Sequence, residues 1–324
     1  MSKYENDVLN VLYQHQPEFV SGQFIAEQLK ISRTSVKKVI DRLKNDGCEI
    51  ESIHNKGHHL VNLPDKWYET LVDRLIQKSS LIDYAVTHET VDSTQILAKQ
   101  ALVGNQDTFM VIADEQVKGK GRFNRPWASE RGLGLWTSLV LRPNVQFSMI
   151  TTFNLFMSLA IRDAIQSFVE TDVFVKWPND IYIGDKKVCG FLTEMVANHD
   201  GIEAVICGIG INMNQLGDHF DEVIKDKATS IRQHNNDVLI DRYDFLDVLL
   251  KNIEHRYLQF LSTPFKDIKD QYMKHSNIWD RTLTFTEGSK RFKGEPVSID
   301  DQGFLHVKDG NGDMHRLMSA DIES

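Results

Sequence analysis

The chain of 324 residues has only three cysteines, and none has the spacing of a disulfide framework or a zinc site. Cys48, Cys189 and Cys207 lie far apart, which predicts reduced thiols. The chain begins without the apolar core of a signal peptide. Its most apolar long stretch, 149–161, is interrupted by polar residues and is shorter than the roughly 20 apolar residues that span a bilayer. We therefore expect a cytoplasmic protein that has no membrane partner.

Two common nucleotide-binding signatures are missing as well. No phosphate loop of the form G-x-x-x-x-G-K-[ST] occurs in the sequence. Gly208-Ile209-Gly210 lacks the third glycine of the dinucleotide fingerprint G-x-G-x-x-G. If the chain uses a nucleotide, the phosphates are held by a different arrangement.

Acidic residues outnumber basic ones by 46 to 37, so the net charge is −9 at pH 7. This balance argues against a polybasic protein that binds nucleic acid or membrane with its whole surface. The segment 1–63 differs, because it contains eight Lys and Arg residues and an equal number of Asp and Glu residues. Within 30–44, six cations accompany a single acid, Asp41. This local excess indicates a surface for nucleic-acid phosphates, although a solvated helix face has the same composition.

This N-terminal segment has the pattern of a winged helix-turn-helix. Apolar residues recur at helical spacing over Val8 to Tyr13 and over Val36 to Leu43. Ser32 stands where a helix N-cap is expected, and Asn55-Lys56-Gly57 is typical of a hairpin turn. We predict DNA binding by the leading residues of the second helix of the motif, which are Ser32, Arg33, Thr34, Ser35, Lys37 and Lys38. The alternative is a small helical domain that contacts protein.

The rest of the chain divides into a connector and two further domains, which makes the fold class α+β in three domains. Residues 64–80 are charged and amphipathic, and they predict a helical linker. Strand and helix patterns alternate over 81–272, with a strand at Ala204 to Ile209 and a buried helix at Phe153 to Phe168, so we expect a mixed sheet. Short alternating strands separated by glycines predict a small SH3-like β-barrel over 273–324.

One nine-residue segment interleaves glycine, three cations and two aromatic residues: Gly119-Lys120-Gly121-Arg122-Phe123-Asn124-Arg125-Pro126-Trp127. Its glycines let backbone amides approach an anion, and its cations suit a phosphate or a carboxylate. Trp127 offers a flat face to a purine or another ring. The alternative is a basic surface loop that carries one buried tryptophan.

Later segments complete a pattern. Lys176-Trp177-Pro178-Asn179-Asp180 precedes Lys187-Val188-Cys189-Gly190, and Gly208-Ile209-Gly210-Ile211-Asn212 follows. In this order and at these separations, the motifs resemble those of the biotin–protein ligase family. With its N-terminal helix-turn-helix, the chain resembles the bifunctional members that also repress the biotin operon.

The resemblance implies that 81–272 is a catalytic domain that binds biotin and ATP and is similar in fold to class II aminoacyl-tRNA synthetases and lipoate ligases. It implies that biotin and ATP, with Mg²⁺, form biotinyl-5′-AMP, and that an acceptor lysine then takes the biotin. The expected acceptor is the biotin carboxyl carrier domain of acetyl-CoA or pyruvate carboxylase. The adenylate is also the expected corepressor, so that an adenylate-bound homodimer binds operator DNA.

The resemblance also assigns roles to the residues at matching positions. The catalytic set is Lys187, Arg122 and Asp180. The biotin-binding set is Ser93, Thr94, Gln95, Gln116, Lys120, Gly121, Arg122 and Lys187. The nucleotide-binding set is Arg122, Phe123, Trp127, Lys176, Asn179 and Asn212. No side chain is assigned as a metal ligand. The Mg²⁺ ion that accompanies ATP is expected near Asp180.

Two details differ from the family pattern or are left open by the sequence. Pattern alone does not tell whether Lys186 or Lys187 points inward, and Lys187 is chosen because it holds the family position. The loop departs from G-R-G-R-x-G-R-x-W, since Lys120 replaces the first arginine and Asn124 the third glycine. Lysine loses the bidentate geometry of arginine, so we expect retention of the adenylate to differ in degree.

Two other functions compete with this hypothesis. A biotin-sensing repressor without catalysis would not need Lys187, Arg122 and Asp180 together. A lipoate–protein ligase would share the fold of the catalytic domain, but lipoate lacks the ureido group that the polar biotin-binding set suits.

Overall fold

The computed structural model describes residues 3–198 and 201–323. The chain divides into two units, Met1–Arg74 and Leu75–Ser324. No helix in the described ranges is both long and apolar enough to cross a membrane.

The first unit contains helices followed by a β-hairpin and the beginning of a further helix. In chain order these elements are α1 (Lys3–Gln14), α2 (Gly22–Leu29), α3 (Arg33–Asn45), β1 (Glu49–Ile53), β2 (Gly57–Asn62) and α4 (Glu69–Ile76). Ser21 and Ser32 cap α2 and α3, because each hydroxyl accepts a hydrogen bond of 3.0 Å from a backbone N–H of the first turn. Lys30 makes the turn between these helices in a left-handed conformation with φ 55°. The helix-turn-helix prediction is confirmed.

A small apolar core holds the first unit together. One face of α3 is buried through Val36, Val39, Ile40 and Leu43. The hairpin of β1 and β2 is antiparallel. Val20, just before α2, exchanges two backbone hydrogen bonds of 2.8 Å with His58 of β2. The wing is therefore tied to the start of the helix-turn-helix.

The second unit begins with alternating strands and helices. In chain order these elements are β3 (Tyr84–Val91), α5 (Thr94–Ala101), β4 (Phe109–Gln116), β5 (Gly134–Leu141), α6 (Ile150–Gln166), β6 (Val173–Lys176), β7 (Asp180–Ile183), β8 (Lys186–Asn198), β9 (Gly201–Asn212), α7 (Arg242–Ser262) and α8 (Lys269–Lys274). The strands form one sheet in the order β3-β4-β5-β9-β8-β7-β6. The pair β3 and β4 is parallel and the other neighbours are antiparallel, which confirms the mixed sheet.

The core of the second unit lies around the middle of this sheet. All eight residues of β5 are buried, so the sheet is covered on both faces at its centre. On one side, Ala98 and Leu102 pack with Phe109 and the neighbouring strands. The buried helix α6 packs on α7, where the ring centroids of Phe156 and Phe260 lie 5.6 Å apart. This packing makes the strand ends a rigid frame for side chains.

The chain ends in an antiparallel β-sheet. Its strands are β10 (Leu283–Glu287), β11 (Lys290–Ile299), β12 (Leu305–Asp309), β13 (Met314–Leu317) and β14 (Asp321–Glu323), in the order β13-β12-β11-β10-β14. Phe285, Leu305 and Val307 form its buried centre. The predicted α+β architecture is confirmed, with a helix-turn-helix, a mixed sheet and a C-terminal antiparallel sheet. The division of the chain at 63, 80 and 272 stays a prediction.

Candidate active site

A cavity of about 310 Å³ opens in the second unit where several strands of the mixed sheet begin or end. The end of β4, the starts of β7 and β8 and the end of β9 border it through Gln116, Asp180, Lys187 and Asn212. The predicted site residues that line this cavity are Ser93, Thr94, Gln95, Gln116, Lys120, Gly121, Arg122, Trp127, Asn179, Asp180, Lys187 and Asn212. Residues far apart in sequence are thus brought together in one place.

The segment 119–127 folds into a closed loop at the mouth of this cavity. Trp127 N–H donates to the carbonyl of Gly119 at 2.9 Å, and Gly121 N–H donates to that of Arg125 at 2.8 Å. The tip is a single 3₁₀ turn in which Phe123 and Asn124 both have positive φ, 55° and 56°. Asparagine tolerates this conformation, whereas an aromatic residue is strained by it. The segment that carries the three cations therefore has a backbone closed by its own hydrogen bonds.

The indole of Trp127 lies against β8 and β9 because glycines leave room for it. A Cβ at Gly210 would lie 2.4 Å from Trp127 Nε1, and a Cβ at Gly190 would lie 3.3 Å from the ring. Neither distance accommodates a larger residue without movement. The glycines of two separate sequence motifs therefore serve one purpose, which is to seat this indole.

Lys187 points into the cavity and pairs with Asp180. Their Nζ and Oδ1 atoms lie 2.7 Å apart, and both side chains are partly exposed. The Lys187 ammonium also lies 5.4 Å from the centroid of the Trp127 ring. A register shift between β7 and β8 sets Lys187 opposite Tyr182. The neighbouring Lys186 is exposed, so the structure decides between the two lysines that the sequence left open.

Arg122 reaches from the loop into the cavity wall. Its Nη1 donates to Asn179 Oδ1 at 3.0 Å and to the carbonyl of Ala320 at 3.3 Å, and its Nη2 donates to Ser319 Oγ at 2.6 Å. Burial lowers the pKa of Arg122, while nearby Asp180 opposes this effect. Arginine stays charged in any case. The guanidinium therefore brings a fixed positive charge to the site.

A network of hydrogen bonds runs through the polar end of the cavity. Gln116 Oε1 accepts a hydrogen bond from the backbone N–H of Thr94 at 2.9 Å. Ser138 Oγ lies 2.8 Å from the Thr94 hydroxyl and donates to Gln95 Oε1 at 3.1 Å. Gln95 Nε2 in turn donates to Glu194 at 3.1 Å. Ser138 was not predicted, and it connects two residues that were.

Ser93, a member of the predicted biotin-binding set, stands at the N-cap position of α5. Its side chain is buried, lines the cavity and makes no capping hydrogen bond. The hydroxyl of Ser93 is thus available to the cavity. Gly208 leaves room for the side chain of Gln95, because a Cβ at position 208 would lie 2.3 Å from Gln95 Oε1.

Known proteins share both parts of this architecture. The Biotin/lipoate A/B protein ligase family matches residues 87–212, and an HTH domain matches residues 5–59. The bifunctional ligase/repressor BirA of Bacillus spizizenii is 34% identical over 99% of this chain and 99% of its own length. The chain belongs to the BirA family of bifunctional ligase/repressors. The BirA protein of Bacillus subtilis is also 34% identical, with the same coverage.

A solved structure agrees with the architecture of this BirA-family chain. The biotin protein ligase from Aquifex aeolicus, in complex with biotin and ATP, is 29% identical and has a TM-score of 0.65. It covers 75% of this chain and 100% of its own.

Two residues of the predicted nucleotide-binding set do not line the cavity of this BirA-family chain. Phe123 is 60% exposed at the loop tip, and its ring centroid lies 5.0 Å from the Arg122 guanidinium. Lys176 lies instead in a second pocket of about 110 Å³ beside Tyr182 and Arg281, and its Nζ donates to the Tyr182 hydroxyl at 3.3 Å. Burial lowers the pKa of Lys176. Lys176 is half-buried because it alternates with the inward residues of the short edge strand β6.

One lining segment of the cavity was missed from the sequence. It contributes His219, Phe220, Asp221, Ile224, Lys227 and Ala228. Its end is anchored on Lys187, whose N–H donates to the carbonyl of Lys227 at 2.8 Å and whose carbonyl accepts from Thr229 N–H at 2.9 Å. The segment has no regular strand or helix period that could have revealed this pairing.

The predicted DNA-contacting residues lie on and just before the first turns of α3. Arg33, Thr34, Lys37 and Lys38 are exposed, and Ser35 is half-buried. The hydroxyl of Ser32 is occupied by its capping bond, although the residue itself is exposed. Arg42 forms an ion pair of 3.1 Å with Glu5. The leading face of α3 therefore presents cations and hydroxyls outward, as a reader of DNA requires.

No group of three or more His, Cys, Asp or Glu in the described part of the chain is arranged to hold a metal ion. Asp180, the predicted neighbour of Mg²⁺, is paired with Lys187.

Proposed function

We propose that this chain is an ATP-dependent biotin–protein ligase that also represses biotin genes. The observation that carries the proposal is the single cavity in which Lys187, Arg122 and Trp127 meet a polar network. The first two residues supply positive charge, the third supplies an aromatic surface, and the network suits a ureido group. Each of these parts answers one chemical need of the reaction.

In the first step, a carboxylate oxygen of biotin attacks the α-phosphorus of ATP, and the bond to the leaving pyrophosphate breaks. Two anions must approach each other, so fixed cations at the meeting point lower the barrier. Lys187 and Arg122 have this role, and Lys120 adds charge at the loop. Mg²⁺ bound with ATP would balance the charge of the phosphates, and Asp180 is the carboxylate proposed to lie near it.

In the second step, the amine of an acceptor lysine attacks the acyl carbon of biotinyl-5′-AMP, and AMP leaves. Asp180 Oδ1 holds the Lys187 ammonium, which keeps that charge aimed at the reacting acyl group. The same carboxylate can accept a hydrogen bond from the incoming amine and so orient it. The acceptor is the biotin carboxyl carrier domain of acetyl-CoA or pyruvate carboxylase.

The polar network accounts for the choice of biotin. A ureido group has two N–H donors and one carbonyl acceptor, and it needs a few placed partners in a largely apolar wall. Ser93, Thr94, Gln95 and Gln116 supply hydroxyl and amide groups there, and Lys120 and Gly121 close the site from the loop. Lipoate has no ureido group, so it would gain no hydrogen bonds from the same polar groups.

The nucleotide occupies the part of the cavity that Trp127 borders. Its indole can stack on adenine. Asn179 and Asn212 line the same cavity, and Phe123 can cover the bound adenylate from the loop tip. Lys176 keeps its proposed role through its charge, which acts on the phosphates from the neighbouring pocket.

Regulation follows from the winged helix-turn-helix. When acceptor is scarce, biotinyl-5′-AMP stays bound, favours a homodimer, and two α3 helices then bind a two-fold operator. The adenylate is then both intermediate and corepressor, provided that it binds the dimer better than the monomer. We propose a cytoplasmic location, where operator DNA and carrier protein would both be available to this chain.

The direct test is ATP-dependent transfer of labelled biotin to a carrier domain. Lys187→Ala should reduce transfer by about a hundredfold or more, because it removes a charge that acts on the transition state. Lys186→Ala is the matched control, since Lys186 is adjacent but exposed, and it should stay near wild type. If the wild-type protein forms neither adenylate nor biotinylated carrier, the chain is a biotin-sensing repressor without catalysis. Preference for lipoate in a competition assay would instead identify a lipoate–protein ligase.

A further inference from the structure

Glu287, the last residue of β10, holds the bend that joins β13 to β14. Its Oε1 accepts hydrogen bonds from the backbone N–H groups of Met318 at 3.1 Å and of Ser319 at 3.3 Å. Both amides lie outside the strands, because β13 ends at Leu317 and β14 begins at Asp321. One carboxylate oxygen therefore satisfies two backbone donors that the sheet does not pair.

The register of the C-terminal sheet brings Glu287 to this bend. β10 and β14 are antiparallel, and Thr286 lies opposite Asp321. The residue that follows Thr286 is therefore next to the residues that precede Asp321. Glu287 is half-buried at this place. The carboxylate thus belongs to the frame of the sheet and supports the bend 318–320 from it.

The same bend accepts hydrogen bonds from the guanidinium of Arg122. Nη2 donates to Ser319 Oγ at 2.6 Å, and Nη1 donates to the carbonyl of Ala320 at 3.3 Å and to Asn179 Oδ1 at 3.0 Å. An arginine has five N–H donors, so these three bonds leave two for a substrate anion. Two of the three protein acceptors belong to the bend, which therefore sets the direction in which the remaining donors point.

The three acceptors of Arg122 are an amide, a hydroxyl and a carbonyl, and all of them are neutral. They orient the guanidinium without pairing its charge, so the charge stays available to a substrate. The carboxylate of Glu287 acts one step further back, on the amides of the bend. Orientation and charge are thereby supplied by different groups.

We propose that Glu287 is a positioning residue that holds Arg122 in the orientation required for adenylate formation. The inference rests on the proposed ligase function, in which Arg122 acts on the two anions of the first step. Glu287 does not line the cavity, so its effect passes through the bend 318–320. Without the carboxylate, two backbone amides lose their acceptor, and the bend can relax away from Arg122.

The experiment measures biotin-dependent pyrophosphate release in a single turnover at saturating biotin and ATP. Glu287→Ala should lower this rate by about tenfold, because a misplaced charge stabilises the transition state poorly. Glu287→Gln keeps an acceptor oxygen at the same place and should restore most of the rate. Glu295→Ala is the matched control and should stay near wild type. Glu295 is exposed on the neighbouring strand β11, where its Oε1 accepts from the Thr282 hydroxyl at 3.2 Å.

A double-mutant cycle separates the positioning of Arg122 from general support of the sheet. In an Arg122→Ala background there is no guanidinium to position, so Glu287→Ala should cause no further loss of rate. An equal further loss in that background would overturn the proposal, because the effect would then be independent of Arg122. If Glu287→Ala does not fold, Glu287→Asp takes its place in the cycle, since its carboxylate ends one methylene short of the bend.

The failures of the two proposals are distinguishable. Wild type that releases no pyrophosphate contradicts the ligase function itself. Wild type that is active, while folded Glu287→Ala keeps the full rate, overturns the role of Glu287 alone. Denaturant unfolding of each variant establishes that it is folded.

Discussion

At the scale of single residues, the site depends on glycines, which leave space because they have no side chain. Gly190 and Gly210 carry no Cβ, and the Trp127 indole occupies the space that this leaves. The missing Cβ of Gly208 likewise leaves space for the side chain of Gln95. Small residues thus decide where the large functional groups lie.

Gly210→Ala should displace the indole, because the added methyl would lie 2.4 Å from Trp127 Nε1. We expect the KM for ATP to rise by roughly tenfold, since overpacking costs a few kcal/mol at most. The affinity for biotin should change little. Steady-state kinetics and calorimetric titration with biotin measure the two effects. Gly310→Ala is the control, as its Cβ would meet nothing within 4 Å. An unchanged KM for ATP would mean that the Trp127 indole does not stack on the adenine base.

Most of the ligase-site residues that the sequence predicted line the cavity, and the failures have physical reasons. Lys187 could be chosen over Lys186 only by resemblance, because the register shift between β7 and β8 leaves no mark in the pattern. Ser138 looks like any residue of a buried strand, since its role depends on the partners that the fold brings to it. Gln215, which also lines the cavity, belongs to an irregular segment, where spacing carries no signal.

At the scale of elements, local signals were the most informative. The cap at Ser32 was predicted correctly, because a few neighbouring residues determine the backbone chemistry of a cap. Strand ends were less well predicted. The sequence indicates a strand from Ala204 to Ile209, whereas β9 runs from Gly201 to Asn212 and thereby places Asn212 at the cavity.

The helix α3 allows charge and stability to be tested separately. Lys37→Ala should weaken operator binding and reduce the slope of log affinity against log salt by about 1, because one phosphate contact is lost. Ser32→Ala should instead lower the free energy of unfolding by about 1 kcal/mol through loss of the cap. Operator titrations at several salt concentrations and denaturant unfolding measure the two quantities. A salt slope that Lys37→Ala leaves unchanged would remove Lys37 from the DNA interface.

The loop 119–127 differs at two positions from the motif G-R-G-R-x-G-R-x-W that it resembles. Asn124 holds the left-handed conformation that a glycine would hold more easily, and its φ is 56°. Lys120 keeps the charge of the replaced arginine without the second hydrogen bond. The hydrogen bonds that close the loop are made by backbone atoms, so neither replacement removes them.

At the scale of the whole molecule, the C-terminal sheet contributes to the site through Arg122. This guanidinium contacts Ser319 and Ala320, nearly 200 residues away in sequence, and Arg125 pairs with Asp321. The sequence predicted the small β-domain but gave no reason to connect it with the loop. Such a contact depends on the docking of two sheets, which no local pattern encodes.

The central claim for the whole molecule is that one adenylate serves both catalysis and repression. The most direct measurement is operator binding, on DNA upstream of the biotin-synthesis genes, while carrier domain is added to protein, biotin and ATP. We predict that biotin with ATP strengthens operator binding and that excess carrier domain reverses it as the adenylate is consumed. A carrier domain whose target lysine is replaced should leave the complex intact. Operator binding that ignores biotin, ATP and carrier alike would contradict the account.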